Sequence, residues 1–193
     1  MRWMLLLLML LAGCDEAVVL AGGEPQPDVK KLKVYKAGNL RFSYPGNWVK
    51  SEDDQQTEGI KIHTVWVKSK GNAMALVQTF VPPVAVDLDD YAREFLGGMR
   101  QEFKKSWSGL IRAGNIKTTT FSDAFLGKKR AGRRVQFMLK ALGFPQPMEV
   151  SLRGARLARG SVVMGAMVPL KFKERVRVGY EQIRDSVRFG SGK

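Results

Sequence analysis

The sequence predicts an α+β domain, an antiparallel β-sheet packed between helices, and three observations carry that expectation. Apolar and polar residues alternate with a period of two in several short runs, the pattern of strands with one buried face. Two longer stretches, 88–103 and 171–187, repeat apolar residues at spacings of three and four, the pattern of helices with one buried stripe. The order is sheet, helix, sheet, helix in a single chain of 193 residues, 45% hydrophobic and 26% charged, which is a globular composition of one-domain size.

The first element is a processing segment. Arg2 supplies a positive start and Trp3 to Gly13 is an uncharged, mostly apolar run. Eleven residues are too few to span a bilayer, which takes roughly 20. The run ends in Leu11-Ala12-Gly13-Cys14, which resembles the lipobox of bacterial lipoproteins. That resemblance implies a signal peptide over 1–13, palmitate and related acyl chains on Cys14, and a periplasm-facing cell-membrane location. Asp15 resembles an inner-membrane retention signal, so the inner membrane is favoured over the outer. Cys14 is the only cysteine, so no disulfide forms within one copy. Residues 14–37, with Gly22-Gly23, Pro25, Pro27 and four lysines, keep neither period and read as a flexible tether.

The domain is expected over 38–190. Leu40, Phe42 and Tyr44 alternate with Arg41 and Ser43 before Pro45-Gly46-Asn47 breaks a first strand. Ile60, Ile62, Thr64 and Trp66 alternate with Lys61, His63, Val65 and Val67, and a Gly71-Asn72 turn leads into a β-rich run over 73–81. Asp87 caps a helix with Leu88, Tyr91, Ala92, Phe95, Leu96, Met99 and Phe103 on one face. Strands follow over 116–121, 133–139, 148–157 and 161–168, the last two joined at Arg159-Gly160, with Pro145-Gln146-Pro147 read as a stiff loop. The closing helix buries Phe172, Val176, Tyr180, Ile183 and Val187. Trp48 and Trp66 are expected in the core.

Asn39 to Trp48 contains Phe42-Ser43-Tyr44-Pro45-Gly46-Asn47-Trp48, which resembles the "F-x-YP-x-x-W" opening of PsbP-like and DcrB-like domains. Asp87-Leu88-Asp89-Asp90-Tyr91-Ala92 is similar to their "dl-x-x-ya" helix, and Ile183 to Phe189 to their last helix. The resemblance covers about residues 38–190 and implies an α/β/α sandwich used as an interaction scaffold. Its members range from photosystem subunits to envelope lipoproteins, so it fixes no activity.

Catalytic chemistry finds few candidates. His63 is the single histidine and reads as an exposed sheet residue beside Lys61 and Val65. Glu52-Asp53-Asp54 with Glu58 reads as a solvated loop, and Asp87, Asp89 and Asp90 as charge favouring a helix N-terminus. No cofactor or metal motif is present, and the expectation is a non-enzymatic module, with a small-molecule or lipid-binding module as the alternative.

The distribution of charge, which also suits an ordinary solvated basic strand edge, is the remaining signal. The net charge is +14, and residues 128–193 hold 16 Lys/Arg against 4 Asp/Glu. Lys128, Lys129, Arg130, Arg133, Arg134, Arg153, Arg156 and Arg159 are therefore candidates for contact with an anionic surface, either lipid or an envelope protein. For an exported protein these come before nucleic acid. The sequence leaves the oligomeric state open.

Overall fold

The computed structural model describes residues 23–106, 111–141 and 144–190. Cys14, the lipobox residues Leu11, Ala12 and Gly13, and the apolar run before them lie outside the described residues.

The strands are β1 (Lys33–Ala37), β2 (Leu40–Tyr44), β3 (Val49–Thr57), β4 (Ile60–Lys68), β5 (Met74–Val81), β6 (Ile111–Phe125), β7 (Lys128–Ala141), β8 (Phe144–Leu157), β9 (Gly160–Pro169) and β10 (Arg188–Phe189). The helices are α1 (Leu88–Ser106) and α2 (Lys173–Ser186), the latter entered through a 3-10 turn over Leu170–Phe172. A seven-stranded antiparallel sheet, ordered β3-β4-β5-β9-β8-β7-β6, forms the centre, and β1-β2-β10 form a separate three-stranded sheet.

Each face of the large sheet has its own core. Trp66, Leu76, Val135, Phe137, Val150 and Leu152 meet Ala92, Phe95 and Leu96 of α1. On the other face Val65, Val67, Val77, Val162 and Met164 meet Tyr35, Leu40, Phe42 and Trp48, together with Val176 and Ile183 of α2. The expected sandwich is corrected here. The fold is α+β, but the second covering layer is the small sheet as well as a helix, so the molecule is dominated by its sheets.

Asp87 caps α1 as its sequence suggests, its Oδ1 accepting from the backbone N–H of Asp89 at 2.7 Å and of Asp90 at 3.1 Å. The hairpins β3–β4 and β6–β7 turn on Glu58-Gly59 and Leu126-Gly127. All four residues have positive φ, the geometry that matches the twist of the flanking strands.

Several expectations change. Pro145-Gln146-Pro147 is not a loop but part of β8, opposite Lys140, Leu139 and Met138. The strand β9 ends at Pro169 opposite Met148, so this stretch has a neighbour on one side only and tolerates the missing N–H groups. The acidic run Glu52–Asp54 is likewise strand β3, at the sheet edge. His63 is not exposed, and neither is Val65, which is fully buried under the small sheet. His63 Nε2 lies 2.6 Å from the Tyr35 hydroxyl and its Nδ1 lies 2.7 Å from Asp54. The Tyr35 hydroxyl also donates to Glu52 at 2.6 Å, and burial, followed by that bond and charge, pushes the phenol up.

The tether is also shorter than expected, because its C-terminal part is folded. Residues 33–37 pair with β2, and Glu24 is 1% exposed. The Glu24 carboxylate accepts from the backbone N–H of Asn72 at 2.6 Å and of Ala73 at 3.2 Å, in the turn between β4 and β5. Arg175 holds the Glu24 carbonyl, and Pro27 packs against Gly179. Glu24→Ala removes a buried acceptor shared by two backbone amides and should cost about 2 kcal/mol, read as a lower thermal midpoint.

Candidate interaction surface

The eight basic residues singled out from sequence are divided by the pleat of the sheet, which turns successive side chains to opposite faces. Arg133 and Arg134 are neighbours in β7, yet Arg133 pairs with Asp89 on the α1 side and Arg134 faces the α2 side. The Arg133–Asp89 pair is bidentate, at 2.6 and 2.9 Å, and holds the Asp89 carboxyl below the usual carboxylate range.

On the other face a cleft of about 230 Å³ opens between α2 and strands β6 to β9. Arg134 lies 3.3 Å from Glu149, whose carboxylate also meets Lys173 at 2.9 Å and accepts from Gln136 at 3.0 Å. Asp123 holds Arg153 and Arg184, each at 2.8 Å. Burial alone would raise the Asp123 carboxyl. The hydrogen bonds from Arg153 and the Ala124 N–H, with the charges of Arg153 and Arg184, outweigh it and hold the group below the usual range. Phe121 lies under both guanidinium groups, 5.2 Å from Arg134 and 4.8 Å from Arg153. This face permits little added bulk. A Cβ at Gly132 would come within 2.5 Å of the Phe121 ring and 2.7 Å of the Leu152 carbonyl.

The other candidates sit at one end of the large sheet. The register Gly132↔Arg153 places the start of β7 level with the end of β8, so the β6–β7 and β8–β9 turns are neighbours. Lys128, Lys129, Arg156 and Arg159 are exposed there, and no carboxylate lies within ion-pair distance of them among the described residues. Arg130 is partly buried and donates to the Phe125 carbonyl.

Sequence reading missed three cations that join this end. Lys36 in β1 is paired with Arg41 in β2, and Arg41 with Arg188 in β10, so three like charges stand in one row across three adjacent strands. All three are exposed. The row comes from register between segments far apart in the chain, and no local pattern in the sequence signals it.

The groups with shifted titration include carboxyls held low, such as Glu52 beside Lys50 and Tyr35, and phenols held high by burial, such as Tyr180. Such shifts lock charge states in place around neutral pH. Among the described residues no group of three His, Cys, Asp or Glu is placed to hold a metal, and no helix is long and apolar enough to cross a membrane.

These features define an α+β domain with a cation-rich end and a charged cleft. The solution structure of cyanobacterial PsbP (CyanoP) from Synechocystis sp. PCC 6803 is similar to it, with a TM-score of 0.48 and 12% sequence identity over 82% of this chain and 92% of that one. No family model and no curated protein matches the chain.

Proposed function

We propose that this chain is a membrane-anchored cell-envelope lipoprotein, held by lipid on Cys14, whose periplasm-facing domain is a non-enzymatic interaction module. The observation that carries the reading is the division of the basic residues. Arg133, Arg134 and Arg153 are consumed in internal ion pairs, whereas Lys128, Lys129, Arg156 and Arg159 crowd one end of the sheet with no carboxylate partner among the described residues. Fixed charge suits binding of an anionic partner better than proton transfer, which needs a group poised near neutrality. The lipobox resemblance supplies the anchor, and Asp15 favours retention in the inner membrane.

The alternative, a small-molecule binding module, has in its favour the cleft where Arg134 and Arg153 flank Phe121. Metabolic labelling with palmitate tests the principal reading. A labelled protein that stays with membranes through a high-salt wash is expected, and sucrose gradients should place it with the inner membrane. An unlabelled protein in the soluble fraction removes the anchor.

A further inference from the structure

The row Lys36–Arg41–Arg188 runs against the ordinary economy of a sheet, because like charges directly opposite one another on neighbouring strands are destabilising. The carboxylates nearby do not relieve it. Asp185, three residues before Arg188, holds Arg184 at 2.7 Å, and among the described residues Arg188 itself donates only to the backbone carbonyls of Asp185 and Val187, at 2.7 and 2.8 Å. Beside Arg188 the edge strand β10 borders an open groove of about 760 Å³, bounded on its other side by the β6–β7 turn. Phe125, Leu126, Leu157 and Phe189 line it with Arg188 and with Arg184, whose charge is met by Asp185 in the same lining and by Asp123. Apolar lining beneath a cationic rim, continued by a row of cations, fits an extended chain that alternates apolar and acidic side chains.

The position of this end decides between two sources of negative charge. Glu24 is lodged in the β4–β5 turn, whereas the cationic turns lie at the opposite end of β9. Nine residues of strand separate the two levels, about 30 Å at the rise of a β-strand. Between Cys14 and Glu24 ten residues span at most about 35 Å, however they are arranged. For the cationic end to touch the bilayer that holds Cys14, this stretch would have to run back along the domain at nearly its full length. The cationic end is therefore expected to face away from its own membrane.

We propose that this end is a docking surface for an acidic, extended segment of another envelope protein, seated in the groove beside β10 with its carboxylates against Lys36, Arg41 and Arg188. The proposal rests on the lipid-anchor reading only for its orientation, and the two are tested separately.

The full-length lipidated protein in phosphatidylcholine vesicles, with and without phosphatidylglycerol, is titrated with an extended peptide of alternating Glu and Leu, and with its Gln counterpart. Binding of the Glu peptide alone, weakening as salt rises, is expected. Charge reversal at the centre of the row by Arg41→Glu should weaken it by at least roughly tenfold. The melting temperature should hold or rise, since the row of like charges is broken, while Lys70→Glu at the far end should leave binding unchanged. Equal binding of the two peptides, or binding indifferent to the reversal, overturns the docking surface.

Orientation is read with fluorophores on Ala158→Cys and Lys70→Cys, each the single free thiol once Cys14 is acylated. Quenching by nitroxide lipids at position 70 and none at 158 is expected in both kinds of vesicle. Quenching at 158 in anionic vesicles assigns the cationic end to lipid and overturns the protein partner. Loss of the anchor instead shows as protein that fails to float with vesicles at all, whatever the peptide does.

Discussion

Asp123→Ala is expected to lower the stability of the domain by about 3 kcal/mol, at the lower end of what breaking a buried ion pair costs. Asp123 is the shared partner of Arg153 and Arg184, and its side chain is 28% exposed against 14% and 19% for theirs. Removing it leaves two guanidinium groups facing each other in the cleft. Arg184 keeps Asp185 as a second carboxylate partner, whereas Arg153 keeps no carboxylate among the described residues, only the Phe121 ring and a long contact with Ser151 at 3.4 Å. The larger part of the loss should therefore come from Arg153, and Asp123→Ala combined with Arg153→Met should recover some of it.

The same group predicts a pH dependence. The folded protein holds the Asp123 carboxyl below its ordinary value, so its stabilisation is fully present above the unfolded carboxyl range, about pH 4, and is lost as pH falls through the lowered folded value. Asp89 and Glu52 are shifted in the same direction and contribute to the same acid limb. Urea midpoints measured from neutral pH down should fall in acid for the wild type and fall less steeply for Asp123→Ala. Parallel curves for the two would show that the carboxylate has no special stability in the folded state.

How much of this was legible in the sequence depends on the range of the interaction concerned. Asp87 and the apolar stripe of α1 from Leu88 to Leu96 are local, and both were read correctly, as were Trp48 and Trp66 in the core, while the side chains of Met99 and Phe103 lie outside the described residues. The strand β3, Val49–Thr57, has almost no apolar residue and lies at a sheet edge, so neither periodicity nor propensity marks it as a strand. His63 alternates as a surface residue should, yet it is covered by β1, a strand whose Lys33–Ala37 sequence looked like tether. The cleft was least visible of all, because Asp123 meets Arg153 and Arg184 across 30 and 61 residues of chain. Composition located the excess of charge in the last third of the chain. Only strand register decides which of those cations are paired inside the fold and which are left at its end.

Cys14→Ser is expected to abolish acyl labelling completely and, with it, stable attachment to the membrane. Each buried methylene contributes about 0.8 kcal/mol, so one acyl chain binds marginally while two or three hold the protein in the bilayer. The cations of the domain are no substitute. Each Lys or Arg near an anionic surface contributes about 1 kcal/mol, screened over a Debye length of about 8 Å, and the exposed cluster lies at the end remote from Glu24. Labelling is the decisive readout, because an unprocessed 1–13 segment would itself keep the precursor at the membrane. Release is best measured with Cys14→Ser in a chain whose first thirteen residues are replaced by a conventional cleavable signal. That protein should appear in the soluble periplasmic fraction. A variant that still incorporates palmitate and sediments with membranes after a salt wash would place the anchor elsewhere in the chain.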